Sequence, residues 1–175
     1  MPVELVDELR RLLPKSDSKL RKHWANRIVQ EKIPITDLVG LLHGDPKVAQ
    51  RFTWLIGDLL ETDRMVVEPV LPMLFDLRNQ MPFPGMRRSV SKCLWFLGIP
   101  EQLESEAIPQ LVQWLEDDAI RVGVKHFAAK SLFDLVKEER FDTKRLNQML
   151  TKQTQHENVA HAKRMSQLQN KLMKM

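Results

Sequence analysis

Few side chains in this chain could carry chemistry, and their spacing decides of what kind. The five histidines, His23, His43, His126, His156 and His161, are scattered. His156 and His161 stand five apart on one helical segment, a poor spacing for a shared metal, and are expected as solvated surface residues. Neither a Gly-rich phosphate loop, a Gly-x-Ser-x-Gly elbow nor a His-Glu-x-x-His motif is present. The single cysteine, Cys93, rules out a disulfide within the chain, which fits a reducing compartment. It falls on an apolar stripe, so a buried structural thiol is expected and not a nucleophile. One spacing remains. Trp54 and Asp58 are about one helical turn apart, and Arg87 and Arg88 follow on a later helix. An aromatic face beside a carboxylate can hold a cation, and an arginine can grip a phosphate. Such a pair also arises easily by chance. No catalytic set, metal site or cofactor site is read from the sequence.

The elements that would position these residues are helices. Glycine is scarce, with 6 in 175 residues. Apolar residues recur at intervals of three and four, as in Val48, Phe52, Leu55, Ile56 and Leu59, or Ile108, Leu111, Val112 and Leu115. Asp45-Pro46 supplies an N-cap and a first-turn proline, Asp117-Asp118 is expected to do the same for a later helix, and Gly98-Ile99-Pro100 ends another. The pattern predicts about ten short helices, near 3–14, 18–31, 35–43, 46–61, 65–80, 85–98, 102–116, 119–138, 142–155 and 157–174. No apolar run approaches the roughly 18 residues needed to span a bilayer, and the N-terminus lacks an apolar signal core. A cytoplasmic location is expected.

These helices repeat. A Leu-led motif recurs as Leu5-Val6…Leu9, Leu38-Val39…Leu42, Leu74-Phe75, Leu111-Val112…Leu115 and Leu146…Leu150, a period in the mid-thirties. Pro72 and Pro109 mark equivalent positions, and Val48, Met86 and Ile120 open the stripes of the second helices. Two helices per unit at this period predict stacked pairs, because one pair cannot bury its apolar face alone. Asp45-Pro46-Lys47-Val48-Ala49-Gln50-Arg51 resembles the turn and second-helix start of a HEAT repeat, with Asp45 and Arg51 at the positions of that family's polar ladder. Ile108-Pro109-Gln110-Leu111-Val112 resembles the family's first helix. Ser89 and Gly123 stand where Arg51 stands, so the ladder is confined to one unit. The resemblance implies one all-α domain over 1–175, a right-handed superhelix of about five helix pairs, with 157–175 as a C-terminal capping helix.

Charge separates by helix type. The four second helices, 18–31, 46–61, 85–98 and 119–138, hold thirteen Lys and Arg against five Asp and Glu, in a chain of net charge +4. Second helices commonly line the concave face of HEAT-like arrays, so the resemblance implies a basic groove. A helical wheel at about 100° per residue places Trp54, Arg88, Lys92, Trp95, Lys22 and His126 away from the core stripes of their own helices. With Arg51 and Lys125 they form the candidate partner-binding groove. In the plainer alternative the bases only solvate their helices, and Trp54 and Trp95 pack between repeats.

Two function classes follow. The first is a non-enzymatic scaffold that binds an acidic or amphipathic segment of a partner protein along the groove. The second is nucleic-acid binding. HEAT-like DNA alkylation-repair glycosylases carry a Trp and an Asp four apart on a concave helix with an Arg in a following repeat, a pattern that Trp54, Asp58 and Arg87-Arg88 resemble. A third reading, an accessory subunit for a tetrapyrrole- or cofactor-attaching enzyme, rests on fold analogy alone. The segment 142–175, with seven bases against two acids, is expected to cap the array, or else to serve as a basic arm.

Overall fold

A computed structural model describes residues 2–80 and 85–175. Among them every regular element is helical and no strand occurs. The chain, read from its sequence as one repeat domain, divides into two compact units, Met1–Leu97 and Gly98–Met175.

The first unit contains α1 (Pro2–Leu12), α2 (Ser18–Gln30), α3 (Pro46–Asp63), α4 (Leu71–Leu77) and α5 (Gly85–Leu97). Helix α3 begins where Asp45-Pro46 predicts. The Asp45 carboxylate accepts from the backbone N–H groups of Lys47 and Val48 at 2.8 and 3.2 Å, satisfying two donors that the first turn leaves open. Its apolar stripe is buried from Val48 through Phe52, Leu55 and Ile56 to Leu59. The α-helices α2, α3 and α5 pack side by side in succession. The segment predicted as helix over 35–43 is instead two 3-10 pieces, Ile35–Asp37 and Val39–His43. Likewise 65–80 becomes 3-10 turns at Arg64–Val66 and Glu68–Val70 before the seven-residue α4. Pro34, Pro69 and Pro72, each lacking a backbone donor, break these stretches into short pieces.

Gly98 ends α5 with φ 79°, the left-handed geometry its sequence position predicts. The second unit follows with α6 (Glu104–Glu116), α7 (Val122–Lys137), α8 (Thr143–Gln153) and α9 (Val159–Leu172). Helices α6 and α7 pack as neighbours, as do α8 and α9, and α9 also lies on α7. Asp117 does not cap α7. Its carboxylate closes the preceding turn by accepting from Ala119 N–H at 2.8 Å, and the helix starts later, behind Arg121 and with no side-chain cap.

Two helix ends, predicted at 31 and 138, are closed without a glycine. Lys32 (φ 54°) and Glu139 (φ 59°) take the left-handed position after α2 and α7. In both, the following N–H closes a six-residue loop, Ile33 to the Ile28 carbonyl at 3.0 Å and Arg140 to that of Leu135 at 2.8 Å. These bonds hold a non-glycine residue in a conformation that costs about 1–2 kcal/mol.

Candidate functional site

The first unit has a concavity of about 330 Å³ across α2, α3 and α5, lined by Arg21, Thr53, Trp54, Gly57, Asp58, Glu61, Arg88, Ser89 and Lys92. Helix α3 forms its floor. Trp54 and Asp58, one turn apart, point to the same side of α3, away from the buried Val48–Leu59 stripe. Trp54 is half-buried, with the Arg51 guanidinium 4.1 Å and the Arg21 guanidinium 5.3 Å from its ring centroid. Arg21 also donates from Nε to Asp58 Oδ2 at 3.0 Å, tying α2 to α3. The Asp58 carboxylate therefore already faces a cation.

On its other side α3 is stitched to α5 through backbone carbonyls. Ser89 Oγ donates to the Thr53 carbonyl at 2.7 Å, and Lys92 Nζ donates to the Gly57 carbonyl at 3.0 Å and to Glu61 Oε1 at 2.6 Å. The two carbonyls are four apart on α3 and the two donors three apart on α5, so one face of each helix meets the other in register. A Cβ at Gly57 would lie 3.7 Å from Lys92 Nζ, an ordinary van der Waals contact.

The expected site residues divide as follows. Trp54, Arg88 and Lys92 come together in the concavity, with Arg51 against Trp54. Lys22 is exposed on α2 but outside the lining, as the wheel predicts for its exposure. Trp95 is half-buried and stands edge-on to Phe96 at 4.8 Å, also outside the lining. Lys92 is not the solvated groove base expected of it. It is 9% exposed and committed to α3. Lys125 departs further, with no exposed surface at all. A wheel places a residue relative to its own helix, whereas a lysine stem can run along a neighbour and end on that neighbour's carbonyl. Arg21 and Glu61 were not singled out from the sequence, and Ser89 was named only as a departure from the polar ladder. Their roles depend on contacts 31 to 37 residues apart, for which local spacing holds no signal.

In the second unit, Lys125 Nζ donates to the Leu115 carbonyl at 3.2 Å, with Asp118 Oδ1 at 3.9 Å. That carbonyl is in the last turn of α6, where unpaired C=O groups and the helix dipole favour a cation. It also accepts from Gln153 Nε2 at 2.8 Å, and Gln153 Oε1 meets His161 Nε2 at 3.0 Å. Since the Gln153 oxygen only accepts, His161 carries its proton on Nε2. One carbonyl thus gathers α6, α7, α8 and, through Gln153, α9. Burial pushes Lys125 below the usual lysine range, against the pull of Asp118 and Asp117. Burial is also the main cause that takes His161 down to about 4, with His156, Lys125, His126 and Arg164 adding to it. His161 was expected at the surface and is 2% exposed. Its ring stands edge-on to His156 at 4.9 Å. His126 lines a separate cavity of the second unit.

Cys93 is fully buried, as its stripe predicts, and burial pushes its thiol up to about 12. Among the described residues no group of three or more His, Cys, Asp or Glu could hold a metal ion, and no helix is long and apolar enough to cross a membrane. Comparison with protein-family models, with curated proteins and with solved structures yields no match to this chain.

Proposed function

We propose that this protein is a non-enzymatic interaction scaffold of HEAT-like helix pairs, built as a right-handed superhelix and acting in the cytoplasm. Its first unit takes an acidic segment of a partner protein in the α2–α3–α5 concavity. The observation that carries this reading is the cluster at Trp54. A half-buried tryptophan is flanked by Arg21 and Arg51, with Arg88 exposed beside it. An aromatic anchor among arginines is the composition that dominates protein interfaces. Asp58 and Glu61 are occupied by Arg21 and Lys92. Arg51, on the Trp54 ring, and Arg88, exposed on α5, are the basic groups that a partner's carboxylates would meet.

The nucleic-acid reading draws on the same cavity, because Trp54, Asp58 and Arg88 line it together. Two features weigh against base-excision chemistry. Arg51 covers a face of the Trp54 ring that a base would stack on, and Arg21 already neutralises the Asp58 carboxylate.

The test is fluorescence anisotropy with a labelled glutamate-rich peptide and a labelled duplex oligonucleotide, each at about 50 and 200 mM salt. Duplex binding that collapses by several orders of magnitude over that range reports phosphate contacts. The scaffold reading expects peptide binding that Arg51→Glu with Arg88→Glu weakens at least tenfold. Duplex binding with no peptide binding overturns it.

A further inference from the structure

The chain's net charge of +4 is not spread evenly along it. After Asp142, residues 143–175 hold seven bases against one acid, Glu157, while the rest of the chain holds twenty bases and twenty-two acids. The positive balance therefore sits wholly in this last segment. All seven of its bases are exposed. Among the described residues the ion pairs of the second unit lie elsewhere, at Lys125, Lys137 and Arg140.

Helical spacing orders part of this charge. On α9 and the turn that follows it, Lys163, Gln167, Asn170, Lys171 and Lys174 fall at i, i+4, i+7, i+8 and i+11. They make one stripe, and every one of them is exposed. The Lys174 N–H bonds to the Lys171 carbonyl at 3.2 Å, which keeps the stripe in line past the helix end. The opposite side of α9 is held firmly. His161, Met165 and Leu172 are buried there, and Gln169 Nε2 donates to Asn147 Oδ1 at 2.9 Å and to Thr151 Oγ1 at 2.8 Å on α8. The stripe is thus a fixed row about 16 Å long at about 1.5 Å per residue.

We propose that this stripe docks a nucleic-acid duplex by its phosphate backbone, without reading its sequence. Lys163, Lys171 and Lys174 meet phosphates, and the Gln167 and Asn170 amides donate beside them, the side-chain types that contact a backbone. A duplex presents its charge as a regular row, one per about 1.7 Å of axis, which suits a fixed row of cations. A single strand fits less well: residues 142–175 contain no Phe, Trp or Tyr on which its bases could stack. A bilayer fits less well too. The buried apolar residues of α9 are turned to the unit, and exposed Val159 and Met173 flank the stripe's ends, too little apolar surface for a helix lying in the membrane interface. Lys144, Arg145 and Lys152, exposed on α8 beside it, add to the attracting field. The site belongs to the second unit and does not depend on the reading of the Trp54 concavity.

The experiment is fluorescence anisotropy on the full chain with labelled DNA and RNA duplexes and a single strand, with flotation on phosphatidylserine vesicles in parallel. Three phosphate contacts predict that duplex affinity falls roughly fortyfold between about 50 and 200 mM salt. Lys163→Gln, Lys171→Gln and Lys174→Gln combined should weaken duplex binding tenfold or more at the lower salt and flatten that dependence. The same variant should keep its affinity for the glutamate-rich peptide and its melting temperature, because Gln is a good helix former at exposed positions. Lys19→Gln, Lys22→Gln and Lys47→Gln combined, exposed on α2 and α3, remove equal charge from the first unit and should cost less than threefold. Binding of either duplex with this pattern supports the proposal. No duplex binding at the lower salt, an equal loss from the first-unit variant, or tighter binding of the single strand or the vesicles than of either duplex overturns it.

Discussion

Lys125 gives the sharpest test, because its sequence and its structure predict opposite outcomes. A lysine on a solvated helix face can be reversed to Glu for within about 0.5 kcal/mol. Lys125 is instead fully buried, its ammonium 3.2 Å from the Leu115 carbonyl at the negative end of α6. In Lys125→Glu, a carboxylate would face that carbonyl and Asp118 with no donor to satisfy it. An uncompensated buried charge costs about 3–5 kcal/mol. Lys125→Met separates charge from volume. It loses a charge-assisted bond of about 1.5–3 kcal/mol and a helix-end attraction of about 0.3–2 kcal/mol. It also removes the burial cost of the ammonium, the cost that already holds Lys125 below the usual lysine range. Leu115 keeps Gln153 as donor at 2.8 Å, so no orphan carbonyl is created. These opposed terms leave Lys125→Met within about 1.5 kcal/mol of the unaltered chain, since hydrophobic replacement of buried charge is often near neutral. Urea unfolding followed by helicity, and by the fluorescence of Trp114, the one tryptophan of the second unit, measures both. At a slope of about 2 kcal/mol per molar, Lys125→Glu should lower the midpoint by roughly 1.5–2.5 M. A Glu variant within about 1 kcal/mol of the unaltered chain would refute the reasoning and restore the solvated-face reading.

Four further outcomes are expected. His161 has its folded value depressed to about 4 from 6.5, so the unfolded chain takes up the proton first as pH falls. Its contribution is intact above pH 6.5 and lost between 6.5 and 4, about 3 kcal/mol in all; His161→Gln should flatten that part of the stability–pH curve. Trp54→Ala should weaken binding of the acidic peptide by about 2 kcal/mol or more if the ring is an anchor, whereas a stability loss of about 3–5 kcal/mol with affinity retained marks it as packing. Glu139→Gly should raise the urea midpoint, since glycine relieves about 1 kcal/mol of left-handed strain; a lower midpoint would contradict the φ of 59°. Removing 157–175 strips α9, in which Met165 and Leu172 are buried. At about 1.5–3 kcal/mol per side chain the second unit should melt far earlier, and an unchanged melt would leave the segment as an arm and not a cap.

Much of the fold was legible along the chain. The i, i+3, i+4 stripes gave the long helices, Asp45-Pro46 gave the start of α3, and Gly98 gave the end of α5, because caps and amphipathic faces are local physics. The Cys93 stripe position likewise announced its burial. Where prolines cut the pattern into pieces, at 35–43 and 65–80, periodicity alone could not distinguish an α-helix from successive 3-10 turns. The chemistry of the charged residues was not legible at all. Sequence spacing brought Arg51, Trp54 and Asp58 to one side of α3, yet only packing placed Arg21 against that ring and on the carboxylate. The sequence likewise shows Lys92, Lys125, Lys130, Arg164 and Lys171 as interchangeable bases on polar faces. Tertiary structure buried the first two on carbonyls of neighbouring helices and brought the last three to one cavity. A long cationic side chain takes its environment from whichever helix packs beside it, and no spacing within a single helix encodes that neighbour.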